Sequence, residues 1–151
     1  MESTWVRDAV ILLARLGVGV IFIAHGLRKL AVDGIGATAE SFAEAGMPLA
    51  TLSAWLVALV ELLAGIAMVI GLAVPVAGVV LAALMLGAYL FVHHGRGIFV
   101  DEGGAELVIA LGAASLLLAL TGAGRFGLDD TVGPAVRERM HLGERRHERV
   151  G

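Results

Sequence analysis

Residues 62–92 read LLAGIAMVIGLAVPVAGVVLAALMLGAYLFV, and none of these 31 positions carries a formal charge. A bilayer core of about 30 Å takes roughly 20 helical residues to cross, so the run is too long for one crossing. Gly71-Leu72-Ala73-Val74-Pro75 divides it. Proline has no N–H to lose and suits the first turn of a helix, so a new helix starts near Pro75. This predicts one span over residues 52–72, interrupted only by Glu61, and a second over residues 75–93.

Working outward, two more segments have the same character. Residues 8–27 are interrupted by Arg15 and His25, and residues 105–121 are almost wholly apolar. Arg7 precedes an apolar run as in a secretion signal, but Arg15 breaks that run and no small-x-small cleavage site follows it, so it reads as a retained helix. The expected fold is all-α: a four-transmembrane-helix antiparallel bundle over residues 1–130, followed by a charged tail over residues 131–151. Residues 37–45, between the first two spans, predict a short amphipathic helix at the interface, with Glu40 and Glu44 on one side and Phe42 on the other.

Composition agrees. Hydrophobic residues make up 58% of the 151 and charged ones 17%, more apolar surface than a soluble domain of this size can hide. The absence of cysteine removes disulfides, thiolate nucleophiles and iron–sulfur ligation. A net charge of −3 gives no electrostatic footprint for nucleic acid. Four spans put both termini on one side. Arg7, Arg125, Arg137, Arg139, Arg145, Arg146 and Arg149 lie there, against Arg28, Lys29 and Arg96 opposite, which predicts cytoplasmic termini.

Ionisable groups within the spans are costly and usually face the bundle interior. Arg15, Gly19, Phe22, Gly26 and Lys29 fall on one stripe of the first helix; Glu61, Gly65, Met68 and Leu72 fall on one stripe of the second. Gly19, Gly26 and Gly65 are expected at helix contacts, within the chain or between copies of it. Counted from a common boundary, Arg15 and Glu61 come within side-chain reach, so a buried Arg15–Glu61 ion pair is expected, fixing register or lining a ligand site. At the opposite boundary His25, Arg28, Tyr89, His93, His94 and Glu106 share a depth, with Tyr89, His93 and Arg96 on one helical face. From these, His25, Lys29, Tyr89, His93 and Glu106 are the candidate ligand-binding residues, each with an ordinary interfacial explanation as well. No metal or haem is expected, since His25 with His93 or His94 is the only pairing and no CxxCH motif occurs. No phosphate loop, GxSxG elbow or HExxH site is present, and catalytic residues stay unassigned.

RLGVGVIFIAHGLRKL (Arg15 to Leu30), Phe42-x3-Gly46-x-Pro48, ELLAGIAMVIGL (Glu61 to Leu72), GIFVDEGGAEL (Gly97 to Leu107) and GAGRFGLDD (Gly122 to Asp130), in this order, resemble the DoxX family of small bacterial membrane proteins. Gly127 stands where the family often has serine. The resemblance implies a four-helix fold in the bacterial plasma membrane. It also implies a link to quinone-coupled sulfur oxidation or oxidative-stress complexes, and it points to Arg15, Gly26, Lys29, Glu61, Gly65 and Glu106.

Three functions follow as expectations. The first is a subunit of a redox system that binds menaquinone, ubiquinone or a similar lipophilic ligand and works with a soluble oxidoreductase. The second is a non-catalytic scaffold anchoring soluble oxidative-stress proteins through the mixed-charge segment from Arg137 to Arg149. The third is a small transporter using Arg15 and Glu61, for which four helices leave little room unless the chain forms a homo-oligomer.

Overall fold

The long apolar run divides where its glycine and proline indicate. Gly71, at φ 73°, closes one helix in the left-handed conformation that costs glycine little, its N–H donating to the Ala67 carbonyl. Ala73 takes the same conformation at φ 49°, where a Cβ costs roughly 1–2 kcal/mol, and Pro75 sits in the first turn of the next helix.

The computed structural model describes residues 2–129, all of whose regular elements are helical. Helix α1 (Glu2–Leu27) runs on without a break into a π-helical turn, Arg28–Val32. Then come α2 (Gly34–Glu44), α3 (Ala50–Ile70) and α4 (Val74–Ala88), the last also widening into a π turn, Tyr89–His93. A 3-10 turn (Val100–Glu102) leads into α5 (Glu106–Thr121). Thr4–Val32, Ala50–Ile70 and Val74–His93 are long and apolar enough to cross a membrane; α5 is apolar but shorter, at 16 residues. The charged tail over residues 131–151 lies outside the described residues.

Helix α1 packs on α3, α3 on α4 and α4 on α5, with α1 also touching α5 and α2 lying against α3. Phe22, Met68 and Leu81 meet in the core with Val108, Leu111 and Leu118 of α5. Large apolar side chains such as Leu13, Val20, Leu63, Val76 and Leu120 point outward, which suits lipid as the surrounding solvent.

Glycines set the α1–α3 spacing. A Cβ on Gly65 would stand 2.9 Å from the Gly19 carbonyl oxygen, and one on Gly26 2.9 Å from that of Ala58. The two backbones touch where only hydrogen fits. Since Gly19, Gly26 and Gly65 are consumed inside the chain, these stripes are not free to join two copies of it. The contact order, Gly19 beside Gly65 and Val69 and Gly26 beside Ala58 and Leu62, also fixes the register in which these two helices run antiparallel.

Candidate functional site

That register separates Arg15 from Glu61. Extending it, the level of Arg15 on α3 falls near residue 70, about nine residues from Glu61 and so about 14 Å away at 1.5 Å per residue. The expected Arg15–Glu61 pair therefore does not form. Counting depth from a common boundary fails because α1 begins well before the level at which α3 ends.

Arg15 instead serves backbone. A helix leaves its last carbonyls without intrahelical partners. The Arg15 Nε donates to the Met68 carbonyl at 3.0 Å and Nη2 to that of Val69 at 3.1 Å, both in the last turn of α3, while Nη1 donates to the Ala123 carbonyl beyond α5. Asp129 is the acid whose charge faces the guanidinium. Its carboxylate accepts the N–H groups of Ala73 (2.6 Å) and Val74 (3.0 Å), capping α4, and its own N–H donates to Gly71. Gly71 and Gly127 lie against the guanidinium, close enough that a Cβ on either meets it. With Arg15 0% exposed, these contacts form a closed polar clasp joining α1, the α3–α4 turn and the segment after α5. Nearby Asp8 is 1% exposed and its carboxylate oxygens find no hydrogen-bond partner among the described residues, with Arg7 at 3.6 Å.

Glu61 has a different partner. Lys29 Nζ donates to Glu61 Oε2 at 2.6 Å, and both side chains are largely buried. The π turn Arg28–Val32 carries Lys29, and wide turns of this kind occur often at functional sites. The pair forms one wall of a cavity of about 460 Å³, otherwise lined by apolar side chains including Phe22, Phe42, Met47, Met85 and Phe91. His25 and His93 reach it as well. His93 is held by a 2.8 Å hydrogen bond between its Nδ1 and the Gly103 carbonyl. Gly104, itself in the cavity wall, lets the loop before it pack tightly, because a Cβ there meets the backbone of Ile98 and Phe99.

Of the five candidate ligand residues, His25, Lys29 and His93 line this cavity. Tyr89 and Glu106 do not. Tyr89 opens the π turn and His93 closes it, and only His93 lines the cavity. Tyr89 lines a separate apolar groove between α4 and α5, edge-on to His94 with ring centroids 6.2 Å apart. Glu106 Oε1 accepts the Val100 N–H at 2.9 Å and so pins the 3-10 turn. Sequence reading missed Met47, Met85 and Phe91 as lining and Asp129 as a cap; Phe42 and Asp129 stood within quoted motifs, which was the available signal. Among the described residues no three His, Cys, Asp or Glu side chains come together as a metal would require.

The DoxX family profile matches residues 10–94, from the third turn of α1 to just past the π turn that follows α4, which includes both partners of the Lys29–Glu61 pair. The chain belongs to the DoxX family. It is 36% identical over 121 residues to a protein of Bacillus subtilis (strain 168) named "Putative oxidoreductase CatD", covering 80% of this chain and 85% of that one. It is 30% identical over 128 residues to "Inner membrane protein YphA" of Escherichia coli (strain K12), covering 82% and 90%. No solved structure matches. As a DoxX protein with three membrane-length apolar helices, the chain is a membrane protein.

Proposed function

We propose that this DoxX protein is a four-span membrane subunit, termini cytoplasmic, that binds a quinone within its helices and works with a soluble oxidoreductase. The observation that carries the reading is the cavity of about 460 Å³: apolar and aromatic over most of its wall, with Lys29, Glu61, His25 and His93 as its polar groups. A flat ring with carbonyl oxygens and an apolar tail needs few convergent donors in an otherwise apolar enclosure. Lys29 and the two histidines supply donors, while Phe22, Phe42 and Phe91 supply ring faces and edges. The oxidoreductase named among its relatives supports a redox role. In this reading α5 completes the fourth span, and electrons come from the soluble partner, since a chain without cysteine holds no dithiol of its own.

Menaquinone-4 titrated into the purified full chain in nanodiscs is expected to raise the melting temperature and to compete with a bound naphthoquinone dye. Leu84→Trp, which fills the cavity, is expected to abolish both effects. A titration that leaves melting and dye binding unchanged removes the quinone reading.

A further inference from the structure

The cavity does not end in lipid alone. Beside it lies a second, open cleft of about 530 Å³ between the π turn of α1 and helix α2, lined by Arg28, Asp33, Ala37, Thr38 and Ser41. His25, Lys29 and Phe42 line both spaces and so form their common wall. The two sides of that wall are chemically opposite: aromatic and aliphatic within, ionic and hydroxylic without.

We infer that the polar cleft is the water port of the apolar cavity, and that His25 carries protons across the wall to the ligand's oxygen. The inference rests on the quinone reading for its ligand, though not for the port itself.

The neighbouring groups are occupied and His25 is not. Lys29 is tied to Glu61 at 2.6 Å, and Arg28 to Asp33 at 3.1 Å. The Thr38 and Ser41 hydroxyls donate to the carbonyls of Gly34 and Ala37 in their own helix, which leaves their oxygens as acceptors for water in the cleft. His25 is exposed and takes part in none of the hydrogen bonds seen among the described residues, and Glu61 is the acid that faces it from α3. The titratable and charged groups around it are Arg28, Lys29 and Asp33 from its own chain segment, Glu61 from α3, and His93, which lines the same cavity from the turn after α4, while α2 contributes hydroxyls. An imidazole with both nitrogens available can take a proton on one side and release one on the other. In the step, an imidazolium N–H bond breaks as an O–H bond forms on an anionic ligand oxygen. The neutral ring then takes a proton from hydronium in the cleft.

The port is tested without any quinone. Carbethoxylation of His25 by diethyl pyrocarbonate, followed by peptide mass spectrometry on the full chain in nanodiscs, reads its access to water. Ala37→Trp, or Ser41→Trp should the first variant melt early, plugs the cleft; Leu84→Trp fills the cavity. Plugging the cleft is expected to slow labelling of His25 at least tenfold, and filling the cavity to leave it within twofold. The reverse pattern, or equal labelling in both, overturns the port.

The relay is tested with a lipophilic 2-hydroxy-3-alkyl-1,4-naphthoquinone, whose colour reports its own protonation. At saturating probe, a stopped-flow pH drop is expected to protonate the bound form at least tenfold more slowly in His25→Gln, and an unchanged rate overturns the relay. A probe that fails to bind sinks the quinone reading and with it the relay, while the labelling result still decides the port.

Discussion

At the end of the packing where α3 finishes, each guanidinium nitrogen of Arg15 has a carbonyl partner and Asp129 answers its charge. Toward the other end, Glu61 accepts its hydrogen bond from Lys29, and beyond that pair lies a cavity instead of backbone. Both are cations facing acids within the packing, yet they do different work. A buried ion whose bonding capacity is used up by main chain holds elements in place and has nothing left to offer a ligand. A pair bonded to each other at the edge of a void keeps spare donors and acceptors. Location within the bonding network, and not charge or depth, separates the structural arginine from the candidate ligand lysine.

The sharpest way to break this contrast is Arg15→Ala. It leaves the last α3 carbonyls and that of Ala123 without their charged donor, and about 3–5 kcal/mol of stability is expected to go. Thermal unfolding in detergent checks this; a loss below about 1 kcal/mol would mean the clasp is ornamental. Lys29→Met comes next, with about 2 kcal/mol lost because Glu61 is left unpaired, whereas Lys29→Met with Glu61→Leu is expected to recover most of it. That double variant keeps its fold but no longer protects against melting when menaquinone-4 is added, which distinguishes a site from a clasp. Asp129→Asn keeps the shape of the α4 cap and removes its charge, so about 1 kcal/mol is expected, read by the same unfolding assay. The smallest effect has the opposite sign. Ala73→Gly relieves a left-handed backbone and is expected to stabilise by roughly 0.5–1 kcal/mol, with no change at the cavity.

How much of this was legible beforehand differs between the two regions. The break at Gly71 and Pro75 was readable because both residues act through their own backbone. The stripe of Arg15, Gly19, Phe22 and Gly26 was readable because α1 is regular over that stretch, and all four are buried. Partner choice was not. Sequence states which face a residue occupies but not how far one helix slides past another, and that slide moved Arg15 away from Glu61 and onto the end of α3. The π turns were hidden for another reason: counting at 3.6 residues per turn presupposes the regularity that Arg28–Val32 and Tyr89–His93 abandon. Lys29 and His93 reach the cavity on those turns, whereas Tyr89 lines the groove between α4 and α5. Asp129 caps a helix that begins 55 positions earlier, a contact no local pattern announces.

The inequality of the helices has its own consequence for the surrounding lipid. The apolar stretch Thr4–Val32 is about 43 Å long and α5 about 24 Å, on either side of a hydrocarbon thickness of about 30 Å. With α5 as the proposed fourth span, lipid chains beside the first must stretch or let it lean, and those beside the second must shorten or leave its ends wet. In that four-span reading the bilayer around the protein is wedge-shaped in cross-section, and membranes thin enough to spare α5 tilt α1 the most.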